Sequence, residues 1–165
     1  MLKLTGLLCI VLCGAGCGMA AASALKRQAV FCKTLCLFLE ELEILMRWNG
    51  DTLPVLVDML SQKPGYAPLR FLKEIRFSES EPFSDAWRRA ILEEHGLPEE
   101  LSQLLLSLGD SLGTSDLEGQ MKTLEGYQLQ ARHISRNAEE QYRTKGKLYR
   151  SMGILGGMSA ALLLC

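Results

Sequence analysis

Hydrophobic positions along this chain fall into two regimes. Leu4 to Leu25 and Ser151 to Cys165 contain no charged residue, and every acidic residue lies between them. In the middle stretch Phe31, Leu35, Phe38, Leu39, Leu42, Leu45 and Met46 keep a 3.6-residue period, with Glu40, Glu41, Glu43 and Arg47 on other faces. The pattern predicts a helix that continues out of the first apolar run and stops at the turn pair Asn49-Gly50. Asp51 or Thr52 should then cap a short helix carrying Leu53, Leu56, Val57 and Leu60, with Pro54 tolerated in its first turn. After the break at Lys63-Pro64-Gly65, a brief helix is expected from Pro68 to Phe77. Pro82 opens another, with Phe83, Ala86, Trp87, Ala90 and Ile91 on one side. Gly96-Leu97-Pro98 ends it and starts a helix bearing Leu101, Leu104, Leu105 and Leu108. No segment alternates with period two over a useful length, so the expected class is all-α.

Two glycines need an explanation, because an interior glycine costs a helix roughly 1 kcal/mol relative to alanine. Gly109 and Gly113 stand four apart in LGDSLGTSDLEGQ. Ser115-Asp116-Leu117-Glu118 has the S-x-x-E pattern of a helix start. Gly113 is therefore expected to close the preceding helix in the left-handed region and make the corner. Gly109, one turn inside, is expected to admit a neighbouring helix. From Asp116 the pattern Leu117, Met121, Leu124, Gln128, Ala131, His133, Ile134, Ala138, Tyr142 runs on without proline. It predicts a single helix of up to about 50 residues, near 75 Å.

The 22 uncharged residues between Lys3 and Lys26 would span about 33 Å as a helix, enough for a bilayer core of roughly 30 Å. A cleaved signal ending near Ala20 to Ala24 and a lipoprotein signal ending at Cys17 compete with a retained anchor. Length and the Lys26/Arg27 stop favour the anchor, residues 1–25. The C-terminal run, 151–165, is about 22 Å of helix; with Leu148 and Tyr149 it would suffice in a thinned bilayer. Basic residues flank the inner sides of both runs, which puts the central domain, 26–150, in the cytoplasm. Gly14 and Gly18 form a G-x-x-x-G spacing suited to helix packing in a membrane.

Charge and chemistry then narrow the function. With 18 Lys plus Arg against 19 Asp plus Glu, the net charge of −1 argues against nucleic acid as the main partner. Cys9, Cys13 and Cys17 recur every four residues, as do Cys32 and Cys36, a spacing that suits neither a disulfide nor a zinc knuckle. They read as reduced packing residues, with Cys165 at the chain end. Two histidines, His95 and His133, stand apart, and neither an H-E-x-x-H nor a phosphate-binding loop occurs. No catalytic, cofactor-binding or metal-ligating residue is expected, and the protein is read as no enzyme.

Several spaced motifs appear together. Leu108-Gly109-Asp110-Ser111-Leu112-Gly113-Thr114-Ser115-Asp116 with Gln120 is similar to F/L-G-x-x-L-G-x-x-D-x-x-x-Q. It is joined by Met1-Leu2-Lys3-Leu4-Thr5-Gly6, Leu42-Glu43-Ile44, Ala86-Trp87 and the stretch Lys147 to Gly157. In this order they resemble the stage III sporulation protein AB family of endospore-forming bacteria. The chain departs from the family pattern after Glu43-Ile44, where a longer turn precedes Thr52-Leu53-Pro54.

That family looks like one half of the type II secretion F platform protein, whose cytoplasmic domains are six-helix bundles. The resemblance implies a six-helix cytoplasmic bundle flanked by N- and C-terminal transmembrane helices, needed for endospore formation. It further implies a place in the outer forespore membrane, facing the mother-cell cytoplasm, within the channel between mother cell and forespore. The implied partners are the secretion-type ATPase, stage III sporulation protein AA, and other membrane subunits of that complex; a homo-oligomer is compatible with the plan. Glu43, Gly109, Gly113, Asp116 and Gln120 become structural or interaction residues, with Asp116 and Gln120 either bracing the corner or docking a partner. A generic membrane-anchored helical scaffold and a lipidated or secreted helical binding protein stand as alternatives.

Overall fold

The computed structural model describes the backbone of residues 2–77, 81–112 and 117–163, and side chains within 13–77, 81–112, 118–149 and at five positions beyond. Among the described residues there are six α-helices and no strand. They are α1 (Leu2–Trp48), α2 (Leu53–Ser61), α3 (Phe71–Glu74), α4 (Phe83–Glu93), α5 (Glu99–Ser111) and α6 (Leu117–Leu163). A 3-10 turn, Pro64–Tyr66, lies between α2 and α3.

Glycine marks two of the reversals. Gly50 after α1 has φ +65° and Gly96 after α4 has φ +89°, the left-handed region that a Cβ disfavours. Thr52 occupies the N-cap position of α2 with extended backbone, but its side chain makes no capping bond. Pro82 and Pro98 stand at the starts of α4 and α5, and Glu99 and Glu100 in the first turn complement the helix dipole of α5.

The helix expected from Pro68 to Phe77 is shorter than its pattern suggested. Amides of Tyr66, Leu69, Leu72 and Lys73 bond three residues back, so the chain winds in tight turns until α3 forms and ends before the extended Ile75. Leu69, Phe71, Leu72 and Ile75 are all buried. The tight turns bury all four without a longer helix, so packing against the core decides the path of this stretch. At the other end of the core, α5 finishes at Ser111 and Leu112 is extended, with ψ 134°. The left-handed closure expected at Gly113, and the helix start at Ser115 and Asp116, lie outside the described residues.

The chain divides into two compact units, Val30–Ser135 and the paired ends Met1–Ala29 with Arg136–Cys165. Val30–Ser135 contains the core. Leu35, Phe38, Leu39 and Leu42 of α1 are fully buried, as are Leu56, Val57 and Leu60 of α2, Trp87 of α4 and Leu105 and Leu108 of α5. Each such side chain contributes about 1.5–3 kcal/mol relative to exposure. Leu124, Ala131 and Ile134 of α6 are buried at spacings of seven and three.

The unit made of the two ends has small residues at its buried positions. Gly18 and Ala22 of α1 and Ala138 and Gly146 of α6 are buried, and Gly14 is half-buried. Met19, Leu148, Met152 and Leu155 are exposed. Among the described residues no helix is long and apolar enough to cross a membrane. Side chains 1–12 and most of 153–165, where the two expected anchors carry much of their apolar runs, lie outside the described ones.

Candidate functional site

Trp87 organises the interior of the Val30–Ser135 unit. Its indole packs on Phe71 at a centroid distance of 5.3 Å, Phe83 at 5.5 Å and Phe38 at 6.4 Å. Phe38 in turn meets Tyr66 edge-on at 5.7 Å. The fully buried indole would leave an unsatisfied N–H, but Nε1 donates to the Leu105 carbonyl at 2.8 Å. That bond holds α4 against α5 at a fixed register.

Gly109 lies one turn beyond Leu105, beneath the same ring. A Cβ built there would stand 2.2 Å from Trp87 Cδ1 and 2.9 Å from Cγ and Nε1. The neighbouring residues continue the junction at the surface: Arg88 donates to both carboxylate oxygens of Asp110, at 2.7 and 2.6 Å. Ser111 Oγ lies 3.0 Å from Tyr127 Oη and links the end of α5 to α6.

A second junction joins α1 to α6. Gln128, almost fully buried, donates from Nε2 to the Leu39 carbonyl at 3.1 Å and to Glu43 Oε2 at 2.8 Å. Glu43 also accepts from Arg47 at 2.9 Å, and Arg132 pairs with Glu40 at 2.8 Å on the exposed flank. Glu41, on another face of α1, accepts from Lys63 and from the Tyr66 hydroxyl. Those two hydrogen bonds hold its carboxyl below the usual range, while burial and the adjacent Glu41 push the Tyr66 phenol upward.

The polar groups are thus occupied in tying helices together. Among the described residues, no group of His, Cys, Asp or Glu is arranged to hold a metal ion. A cleft of about 380 Å³ between α5 and α6, lined by Glu100, Leu104, Ser107, Tyr127, His133 and Ile134 among others, is open, with mixed polar and apolar walls. Cys32 and Cys36 carry free thiols. Burial, followed by the neighbouring Cys36, pushes the Cys32 thiol up to about 12. Burial also raises Cys36, against a hydrogen bond with Ser135. Neither is an activated nucleophile, since reactivity requires an accessible thiolate.

The junction residues come from the stretches that carry the resemblance: Glu43, Trp87, Gly109 and Asp110. A family model for stage III sporulation protein AB matches residues 3–165. The chain belongs to the stage III sporulation protein AB family. No match is found among curated proteins or among solved structures. Membership of the stage III sporulation protein AB family implies a role in the third stage of sporulation, and this is not a known enzyme family.

Within that family framework, Glu43 meets Gln128 in the α1–α6 junction, and Gly109 meets Trp87 between α4 and α5. Gln120 is half-buried in the first turn of α6. Gly113 and Asp116 lie outside the described residues, and Gly14 and Gly18 fall in the unit of paired ends. Sequence reasoning missed Gln128 as a polar tie, Tyr127, and the Arg88–Asp110 pair. A glutamine on the apolar stripe of α6 was the available signal for the first.

Proposed function

We propose that this protein is a non-enzymatic membrane platform component of the channel between mother cell and forespore. Its central helical unit docks the secretion-type ATPase, stage III sporulation protein AA, on the mother-cell side. One observation carries the reading: the two chain ends group into one compact unit while the middle forms another, and a 47-residue helix leads from each end. Two uncharged terminal runs paired in this way suit a hairpin anchor in lipid. The exposed Met19, Leu148, Met152 and Leu155 in that unit support it, as do the basic residues that flank both runs.

Alkaline extraction of membranes tests the anchor, and co-purification of the ATPase with the full-length protein tests the docking. The platform reading expects the chain to stay with the lipid and to bring the ATPase. Retention in lipid without the ATPase leaves a generic anchored scaffold; release by carbonate removes both. Sidedness is best read from Lys73→Cys, because Lys73 is exposed whereas Cys32 is 1% exposed and would resist any reagent from either side. An impermeant thiol reagent added outside intact cells should leave the new cysteine unlabelled.

A further inference from the structure

The core-facing side of α1 is fully used, yet its other side is apolar too. Leu37, Glu41, Ile44 and Trp48 follow each other at spacings of four, three and four, one stripe of a helix. Leu37 is 51% exposed, Ile44 57% and Trp48 79%. On α2, Val55 and Met59 are 53% and 37% exposed, beside the buried Leu56, Val57 and Leu60. The two stripes meet. Lys63, just past the end of α2, pairs with Glu41, which lies within the α1 stripe, and the chain reverses at Gly50 between them. Ile44 and Trp48 on α1, and Val55 and Met59 on α2, all fall between that ion pair and the reversal. Ile44, Trp48, Val55 and Met59 therefore form one exposed apolar patch at the α1–α2 hairpin. Contiguous patches of this kind mark interaction sites, and tryptophan is the residue most enriched among those that dominate binding.

The charges around the patch say what fits it. Its two cations are spent internally, Arg47 on Glu43 and Lys63 on Glu41. Asp51 and Asp58 are exposed, and among the described residues neither is in an ion pair; the Asp58 carboxylate accepts from the Gln62 amide. The rim is therefore acidic. An anionic lipid surface would be repelled, and a second copy docked on the same face would bring like charges together. We propose that the α1–α2 hairpin is the docking surface for a protein partner that presents an apolar pocket for Trp48, with lysine or arginine at its edge to meet Asp51 and Asp58. This rests on the proposed docking of the ATPase and assigns the face that makes it.

The test is co-purification of the ATPase with the full-length protein and its variants. Trp48→Ala should lower the recovered ATPase about tenfold or more, the scale of a dominant contact. Asp51→Lys with Asp58→Lys should lower it as well, and both variants should keep the wild-type unfolding midpoint, since none of these side chains is in the core. A photo-crosslinking residue at position 48 should join the ATPase. Equal recovery with wild type and both variants overturns the proposal while leaving the platform reading intact. Wild-type protein that brings no ATPase sinks the platform reading itself. A Trp48→Ala change that instead alters the oligomeric mass, or releases the chain from vesicles of anionic lipid with ATPase recovery unchanged, assigns the patch to another occupant and overturns the proposal too.

Discussion

A methyl group on Gly109 would lie 2.2 Å from Cδ1 of Trp87. The indole cannot step aside cheaply, because three aromatic neighbours and the bond from Nε1 to the Leu105 carbonyl hold it. Gly109→Ala gains up to about 1 kcal/mol of helix propensity but overpacks the crossing by about 1–3 kcal/mol. We expect a net loss of about 1–2 kcal/mol, read from urea unfolding of the full-length protein. In a Trp87→Leu background the same alanine should be neutral or stabilising. An alanine that destabilises both backgrounds equally would assign the cost to something other than the ring.

Gln128 offers a test with a pH signature. Gln128→Leu removes the donor to Glu43 and Leu39, at a cost of about 1 kcal/mol, because the half-buried Glu43 can turn to water. Gln128→Glu sets two carboxylates against each other and should be worse at neutral pH. Repulsion and burial raise the folded pKa of the new acid above its unfolded value of about 4.3. Its penalty is therefore full above the folded pKa and gone below the unfolded one. Thermal melts at descending pH should show the gap between the two variants closing.

How much of this was legible in the sequence depends on the range of the interaction. The period-3.6 stripes of α1, α2, α4, α5 and α6 reflect local geometry, so Leu35, Phe38, Leu39 and Leu42 could be assigned to one face from spacing alone. Gly50 and Gly96 marked reversals because their backbone conformation is itself local. What spacing does not carry is the identity of partners distant in sequence. Arg88 and Asp110 are 22 residues apart, and Arg132 and Glu40 are 92. The cost of glycine asks for a close neighbour at Gly109, but nothing local names Trp87. Between Pro68 and Phe77 the pattern misled, since the spacing of three that separates Leu69, Leu72 and Ile75 suits a helix face as well as a run of tight turns.

Acid stability should report Glu41. Its carboxyl is held below the ordinary 4.5 by the hydrogen bonds from Lys63 and Tyr66. The unfolded chain thus takes up this proton at a higher pH than the folded one. The stabilisation is complete above about 4.5 and is lost as pH falls through the lower folded value. Glu41→Gln should remove this part of the acid dependence, so that wild type and variant converge in melting temperature at low pH. The side chain is one-third exposed, so solvent screening keeps the difference small. A variant that runs parallel to wild type across the whole range would remove Glu41 from the acid response.

The thiol of Cys32 should serve as a clock for opening of the central unit. It is 1% exposed, and burial lifts it from the ordinary 9.0 to about 12, so at neutral pH the reactive thiolate is scarce as well as inaccessible. Alkylation followed by mass spectrometry should find Cys32 unmodified in the native protein, with Cys36, half-buried, reacting slowly. In rising urea, modification of Cys32 should track the global unfolding curve, since it is buried at helical spacing with Leu35 and Leu39 on the core side of α1. The raised pKa also fixes the alkaline behaviour. The stabilisation is intact below 9.0 and lost as pH climbs toward about 12, because the unfolded thiol ionises first. Alkylation of Cys32 should therefore accelerate with pH more steeply than that of a surface cysteine such as Lys73→Cys, through opening as well as ionisation. Equal rates for the two in native buffer would show that α1 leaves this part of the core without global unfolding.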